Sequence, residues 1–290
     1  MRKLQILVWT VSYILFLNGC ALFEPKVYTE IITDTEVIHS ESGTVTYKFA
    51  DENQNQYEII ANPNVPVLAY NKAAFVLKGG RMSYGEADFD CRFGIDVSYY
   101  QEEIDWKKVA ADGVEFAMIR LGYRGWSDGV LYTDERFEEN IEGAQSAGID
   151  VGVYFFTQAV NEKEAIEEAE YVLSILERYE LQMPIACDVE EIDGEDGRMD
   201  RLSASRRSRN VAVFCQTIQK AGYEPMIYCN MYYEAYKLDL ELLSAFSIWY
   251  ADYSRFPQTP YHFNIWQYTS SGKVDGIRGN VDMNIQMIEK

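Results

Sequence analysis

From Phe93 to the end of the chain, short apolar segments recur with helical stretches between them, and few folds accept that order. Strand candidates begin near Gly94, Glu115, Val151, Ile185, Pro225, Ser247, Phe263 and Val281. Helical patterns separate the first six. Trp106 to Ala111 closes at Gly113, and Phe137, Ile141 and Ala144 share a face before Gly148. Asn161 and Glu164 form a capping box ahead of Ala165, Ala169, Val172 and Leu176. A fourth helix runs from Ser203 to Ala221 and stops at Gly222, and a weaker one covers Leu238 to Ala245. Strands alternating with helices imply a parallel sheet, and eight of them suggest closure. Pro257, Pro260 and Gly272 leave little room for helices between the last three strands. The predicted fold class is therefore α/β: an irregular TIM-like β/α barrel of eight strands, the last few joined by short loops, over residues 91–290.

In such a barrel, chemistry gathers where the strands end. Reading those ends in order gives Asp96, then Arg120 and Tyr123, then Tyr154 and Phe156, then Asp188 and Glu190. Tyr228 follows from the fifth strand, Trp249 and Asp252 from the sixth, Trp266, Gln267 and Tyr268 from the seventh, and Asp282 and Asn284 from the last. Each residue alone has an ordinary structural explanation, such as a core aromatic or an Asp capping a turn. Together they put four carboxylates and a ring of aromatics on one rim. Sugars bind such surfaces, because their apolar ring faces stack on Trp and Tyr while polar groups take the hydroxyls.

The sharpest element is Ile185-Ala186-Cys187-Asp188-Val189-Glu190. Residues two apart on a strand face the same way. Two acids aimed together push one pKa up, so one group holds a proton while the other stays ionised. Glycoside hydrolysis needs that division of labour.

The rest of the composition removes alternatives. A formal charge of −20 argues against nucleic acid or polyanion partners. With 2 His in the chain, a Ser-His-Asp triad or a His-rich metal site has no support. No cofactor and no metal are expected, and the protein is expected to be a monomer. Cys187 and Cys229 sit inside apolar strand patterns and read as buried thiols, with Cys91 and Cys215 also expected to be mostly unpaired.

The N-terminus has another character. Met1-Arg2-Lys3 and the apolar run from Leu4 to Leu17 read as a signal peptide. Leu17-Asn18-Gly19-Cys20 resembles the bacterial lipobox, with Asn18 the less usual residue. Residues 1–19 would then be removed and Cys20 lipidated, leaving a membrane-anchored lipoprotein facing out of the cytoplasm. Residues 20–90 read as a lipid-anchored spacer holding one β-hairpin, with strands at Thr44–Phe49 and Tyr57–Ile60. That stretch is too small for a sizeable core of its own.

Between Phe93 and Asn284 the chain resembles the family 25 glycoside hydrolases, muramidases that cleave bacterial peptidoglycan. The resemblance rests on an ordered set: Gly94-Ile95-Asp96-Val97-Ser98, Ile104-Asp105-Trp106, Arg120-Leu121-Gly122-Tyr123, Gly152-Val153-Tyr154-Phe155-Phe156, Asp188-Val189-Glu190, Trp249-Tyr250-Ala251-Asp252-Tyr253, Ile265-Trp266-Gln267-Tyr268 and Val281-Asp282-Met283-Asn284. It implies hydrolysis of the β-1,4 bond between N-acetylmuramic acid and N-acetylglucosamine in peptidoglycan strands. It also implies Glu190 as general acid/base, Asp188 as transition-state stabiliser, and Asp96 and Asp282 as flanking carboxylates. Phe155 departs from the family, where His or another aromatic is common. Two other readings stay open: a peptidoglycan-binding lipoprotein without activity, and a barrel glycosidase for another polysaccharide.

Overall fold

The computed structural model describes residues 28–290 apart from residues 33, 34, 52, 193 and 195. The predicted signal segment, the lipobox and Cys20 lie outside the described residues. Six short strands come first: β1 (Tyr28–Ile32), β2 (Thr35–His39), β3 (Val45–Ala50), β4 (Gln56–Ile60), β5 (Phe75–Lys78) and β6 (Arg81–Tyr84). The first four make an antiparallel sheet in chain order, and the last two a separate hairpin. The predicted hairpin is present as β3 and β4 within this larger sheet. Gly79 and Gly80, which look like a break in the sequence, are the turn joining β5 to β6. Their φ angles of 60° and 80° are the left-handed values that a two-residue hairpin loop requires.

The barrel strands are β7 (Phe89–Val97), β8 (Phe116–Arg124), β10 (Asp150–Phe156), β11 (Ile185–Val189), β12 (Pro225–Asn230), β13 (Ser247–Ala251), β14 (Ile265–Gly272) and β15 (Val281–Glu289), while β9 (Leu131–Thr133) is appended to β8. They pair in the order β10-β11-β12-β13-β14-β15-β7-β8, and a β8–β10 ladder closes the ring. Helices α1 (Trp106–Ala111), α2 (Phe137–Ser146), α3 (Glu162–Leu176), α4 (Ala204–Lys220) and α5 (Leu240–Leu243) occupy the early connections. No helix links β13, β14 and β15. At the start of α3, Asn161 caps through a 3.0 Å bond from Glu164 N, but the Glu164 carboxylate accepts from Val160 N rather than closing the predicted box.

One strand departs from a wholly parallel sheet. β15 runs antiparallel to both β14 and β7. Its first residues therefore reach the rim where the other strands end, which puts Asp282 there although it begins its strand.

Alternation sorts the side chains of each strand. One apolar cluster fills the barrel interior: Phe116, Met118, Ala186, Met226, Tyr228, Trp249 and Ile265. Gly94 makes room for it, since a Cβ there would meet the Phe116 ring at 2.3 Å. The second, larger cluster lies between the barrel's outer face and its coverings. Buried residues of the N-terminal segment, including Phe49, Ile59, Tyr70, Phe75 and Met82, belong to that second cluster rather than to a core of their own. Tyr70 donates to Phe263 O at 2.5 Å, Lys72 to Gln258 O at 3.2 Å, and Glu58 N to the Tyr236 hydroxyl at 2.8 Å. The segment is thus packed onto the barrel.

Cys91, Cys187, Cys215 and Cys229 are all free thiols. Among the described residues no helix is long and apolar enough to cross a membrane.

Candidate active site

An open cleft of about 1390 Å³ lies at the rim, lined by Asp96, Asp188, Glu190 and Asp282. Two separate pairings bring these acids together. Asp188 ends β11 and Glu190 follows it by two residues. Asp96 on β7 is the register partner of Asp282 on β15. Directly opposed residues of an antiparallel pair sit about 4.5–5.5 Å apart at Cβ, where like charges repel.

Asp96 is buried, and its Oδ2 accepts from Gln267 Nε2 and Asn284 Nδ2, each at 2.8 Å. Asn284 is held in turn by Trp249 Nε1 at 2.8 Å, and Gln267 Oε1 accepts from Tyr228 at 3.1 Å and Tyr253 at 2.8 Å. Five side chains from four barrel strands and one loop thus fix one carboxylate. Burial pushes Asp96 well above the ordinary carboxylate range, and Asp282 adds to it against the pull of the two amides. Asp188 is 4% exposed, and its Oδ1 is buried without a hydrogen-bond partner. Burial and then the Glu190 charge push its pKa well above the usual value, while Arg120 draws it down. The site therefore favours the protonated forms of Asp96 and Asp188 more than water does.

Asp282 gives a direct test. Burial raises its pKa from 3.8 to about 6. Between these values the native chain binds a proton that the unfolded chain has released, so stability falls as pH rises from about 4 to 6. A shift of that size corresponds to roughly 2–3 kcal/mol. Asp282→Asn removes this loss and relieves Asp96, so urea unfolding at pH 7.5 should show a gain of about 1–2 kcal/mol. A variant less stable than wild type at pH 7.5 would overturn this reading of the Asp96–Asp282 pair.

Arg120, Tyr123, Tyr154, Phe156, Tyr228, Trp249 and Gln267 also line the cleft, as expected from the sequence. Arg120 and Tyr123 are three apart and would face opposite sides on a regular strand. The β8–β10 register skips Leu121, and that bulge turns both toward the cleft. Arg120 donates from Nε to Asp134 Oδ2 at 2.7 Å and lies 5.0 Å from the centre of the Tyr99 ring.

Trp266 and Tyr268 are corrections. Ile265 and Gln267 face inward, so their neighbours must face out. Trp266 is fully buried, donates to Asp252 O at 2.7 Å and packs on Phe75 at 5.2 Å between ring centres. The Tyr268 hydroxyl lies over the β5–β6 turn, donating to Gly80 O at 3.3 Å. Both hold the N-terminal segment to the barrel. Asp252 borders the cleft, but its carboxylate is spent on the following loop, accepting from Ser254 N at 2.9 Å and Gln258 N at 2.7 Å.

The cleft also contains residues absent from the sequence reading. Tyr99, Tyr100 and Trp126, in loops directly after β7 and β8, are exposed on it. An aromatic immediately beyond a barrel strand was the available signal. Tyr253 and Tyr232 follow the same rule after β13 and β12, while Tyr236 lies further along, in the turn after β12. The sequence predicts the β3–β4 hairpin but not its place at the cleft, to which it supplies Asp51, Asn53, Asn55, Gln56 and Tyr57. Among the described residues no group of three or more His, Cys, Asp or Glu side chains is placed to hold a metal ion.

A barrel closed by one antiparallel strand, with paired acids at its rim, has the parts that glycoside hydrolysis uses. Residues 95–277 match the family described as Glycosyl hydrolases family 25, and the chain belongs to that family of glycoside hydrolases. Among curated relatives, the autolytic lysozyme of Clostridium acetobutylicum is 28% identical over 193 residues, covering 66% of this chain and 54% of its own length. Lysozyme M1 of Streptomyces globisporus is 29% identical over 211 residues, covering 69% of each chain. Among solved structures, the modular autolysin LytC of Streptococcus pneumoniae aligns with a TM-score of 0.61 at 24% identity, over 89% of this chain and 57% of its own. The chain spans little more than half the length of the clostridial lysozyme and of the pneumococcal autolysin.

Proposed function

We propose that the protein is a muramidase that hydrolyses the β-1,4 bond between N-acetylmuramic acid and N-acetylglucosamine in peptidoglycan. The observation that carries this reading is the joining of Asp188 and Glu190 to Asp96 and Asp282 in one aromatic-lined cleft. Lysozymes among the relatives support the substrate class, as does the pneumococcal autolysin, whose structure was also solved with a synthetic peptidoglycan ligand.

In this mechanism Glu190 gives its proton to the leaving glycosidic oxygen. Asp188 receives a hydrogen bond from the sugar's 2-acetamido N–H, which favours its ionised form and leaves the pair's proton on Glu190. The acetamido oxygen then attacks the anomeric carbon, and Glu190 takes a proton from the water that opens the intermediate. Asp96 and Asp282 set the charge around the pair, and no cofactor enters.

The test is incubation of the purified protein with peptidoglycan, borohydride reduction and mass spectrometry. New muramitol ends support the assignment. Glucosaminitol ends mean a glucosaminidase with the opposite subsite order, and no new ends with binding intact mean a binding protein.

The lipobox supports a second element of the proposal, attachment of the chain to a membrane through lipid on Cys20, on the outer side of the cytoplasmic membrane. Cys20→Ser should move the protein from the membrane fraction to the soluble one and abolish labelling by a fatty-acid analogue. Unchanged fractionation and labelling would remove the anchor from the model of function.

A further inference from the structure

The β3–β4 hairpin stands outside the region matched to the family, which begins at residue 95, yet it lines the cleft that holds the carboxylates. The described residues of its tip are tied together by several bonds. Gln54 N donates to Asp51 O at 3.0 Å and Asp51 N to Asn55 O at 3.1 Å. Gln54 takes the left-handed φ of 66° that such three-residue hairpins require. The Asp51 carboxylate accepts from Asn53 N at 2.8 Å, Asn55 N at 2.9 Å, Asn55 Nδ2 at 2.7 Å and the Tyr57 hydroxyl at 3.1 Å.

Behind the tip runs an aromatic stack that crosses from this sheet to the barrel. Phe49 and Tyr57 are parallel at 5.7 Å, and Tyr57 and Tyr236 at 6.1 Å. Tyr236 belongs to a π-helical turn (Tyr233–Lys237) after β12 and meets Tyr232 edge-on at 5.8 Å. Although clamped by this stack and by the bond from Glu58 N, Tyr236 is 46% exposed, and it lines the cleft. The exposed side chains of Asn53, Asn55 and Gln56 line the same cleft. A clamped, exposed ring that shares its cleft with neutral amides suits a sugar, whose apolar face stacks while its hydroxyl and acetamido groups find donors and acceptors.

We propose that the β3–β4 hairpin and Tyr236 form an added glycan subsite, which binds N-acetylated sugar residues of the same strand beyond those at the carboxylates. The inference rests on the hydrolase reading above and extends its cleft.

The experiment compares full-length wild type, Tyr236→Ala and Gln56→Ala on long glycan strands and on tetrasaccharides. Gln56→Ala leaves the stack and every Asp51 bond in place and removes one long bond, from Gln56 Nε2 to Gln54 O at 3.4 Å, so urea unfolding of the variant, expected to match wild type, is measured beside KM to separate contact with sugar from a looser tip. On long strands KM should rise about tenfold for Tyr236→Ala and about threefold for Gln56→Ala, with kcat within about twofold. The ratio of KM on long strands to KM on tetrasaccharides should rise with it. Equal KM changes on both lengths, or no change for either variant, would overturn the subsite. Wild type that releases no reducing ends from either substrate would overturn the hydrolase reading instead. In that case retention of long strands by wild type and Tyr236→Ala still decides the subsite: weaker retention by the variant supports it, and equal retention removes it.

Discussion

Glu190→Gln is expected to leave a folded protein that still holds glycan and turns it over about 10²–10⁴-fold more slowly. The side chain is close to isosteric, and Glu190 sits beyond the last residue of β11 on the cleft rather than in either apolar cluster. Its loss should therefore cost little stability. What it removes is the proton that the leaving oxygen must receive. A second readout separates chemistry from damage. The Glu190 charge is the second cause, after burial, of the raised Asp188 pKa. With a neutral amide there, Asp188 should ionise at lower pH, and the acidic limb of the residual pH–rate profile should move down. Wild-type turnover in the variant, under conditions where wild type releases muramitol ends, would end the assignment of Glu190.

The barrel was legible in the sequence because its signals are local. A buried strand between two capped helices announces itself by apolar run length and by residues such as Asn161, Gly148 and Gly222. Asp96, Asp188 and Glu190 were legible for the same reason, since each lies at or just past the C-terminal end of a strand. Asp282 shows the limit. It starts its strand, and only the antiparallel direction of β15 delivers it to the rim opposite Asp96. Strand direction is set by pairing across the barrel, which no local pattern records. Trp266 and Tyr268 show a different failure. Three consecutive residues of one strand cannot all face one cleft, and alternation alone separates Gln267 from its neighbours. Leu121 shows the reverse: a bulge lets Arg120 and Tyr123 share a face that alternation would deny them. The N-terminal sheet was least legible. Its strands bury apolar residues against the outside of the barrel, so their burial pattern makes sense only with the partner surface in place.

Arg124→Met is expected to cost about 3–5 kcal/mol of stability at pH 8, because it strands a buried carboxylate. Arg124 closes β8, where its Nε donates to Glu168 Oε1 at 2.8 Å, with side-chain exposures of 5% and 0%. The same guanidinium donates to Gly129 O at 2.8 Å and Glu164 O at 3.0 Å, so it ties the loop after β8 to α3. Glu168 also accepts from Thr157 Oγ1 at 2.6 Å. Burial nevertheless raises the Glu168 pKa to about 7, against the pull of Thr157 and Arg124. Between its ordinary value of 4.5 and that raised one, the native chain binds more proton than the unfolded chain. Stability therefore falls as pH rises through this window. Removing Arg124 lifts the Glu168 pKa further and extends the fall to higher pH, so the deficit of Arg124→Met should be larger at pH 8 than at pH 5. Urea unfolding at the two pH values measures this. Arg124→Met with Glu168→Leu should recover much of the loss, since a buried pair replaced by apolar groups is often near neutral. A deficit below about 1 kcal/mol, the same at both pH values, would mean that the pair is solvated in a way its geometry does not allow.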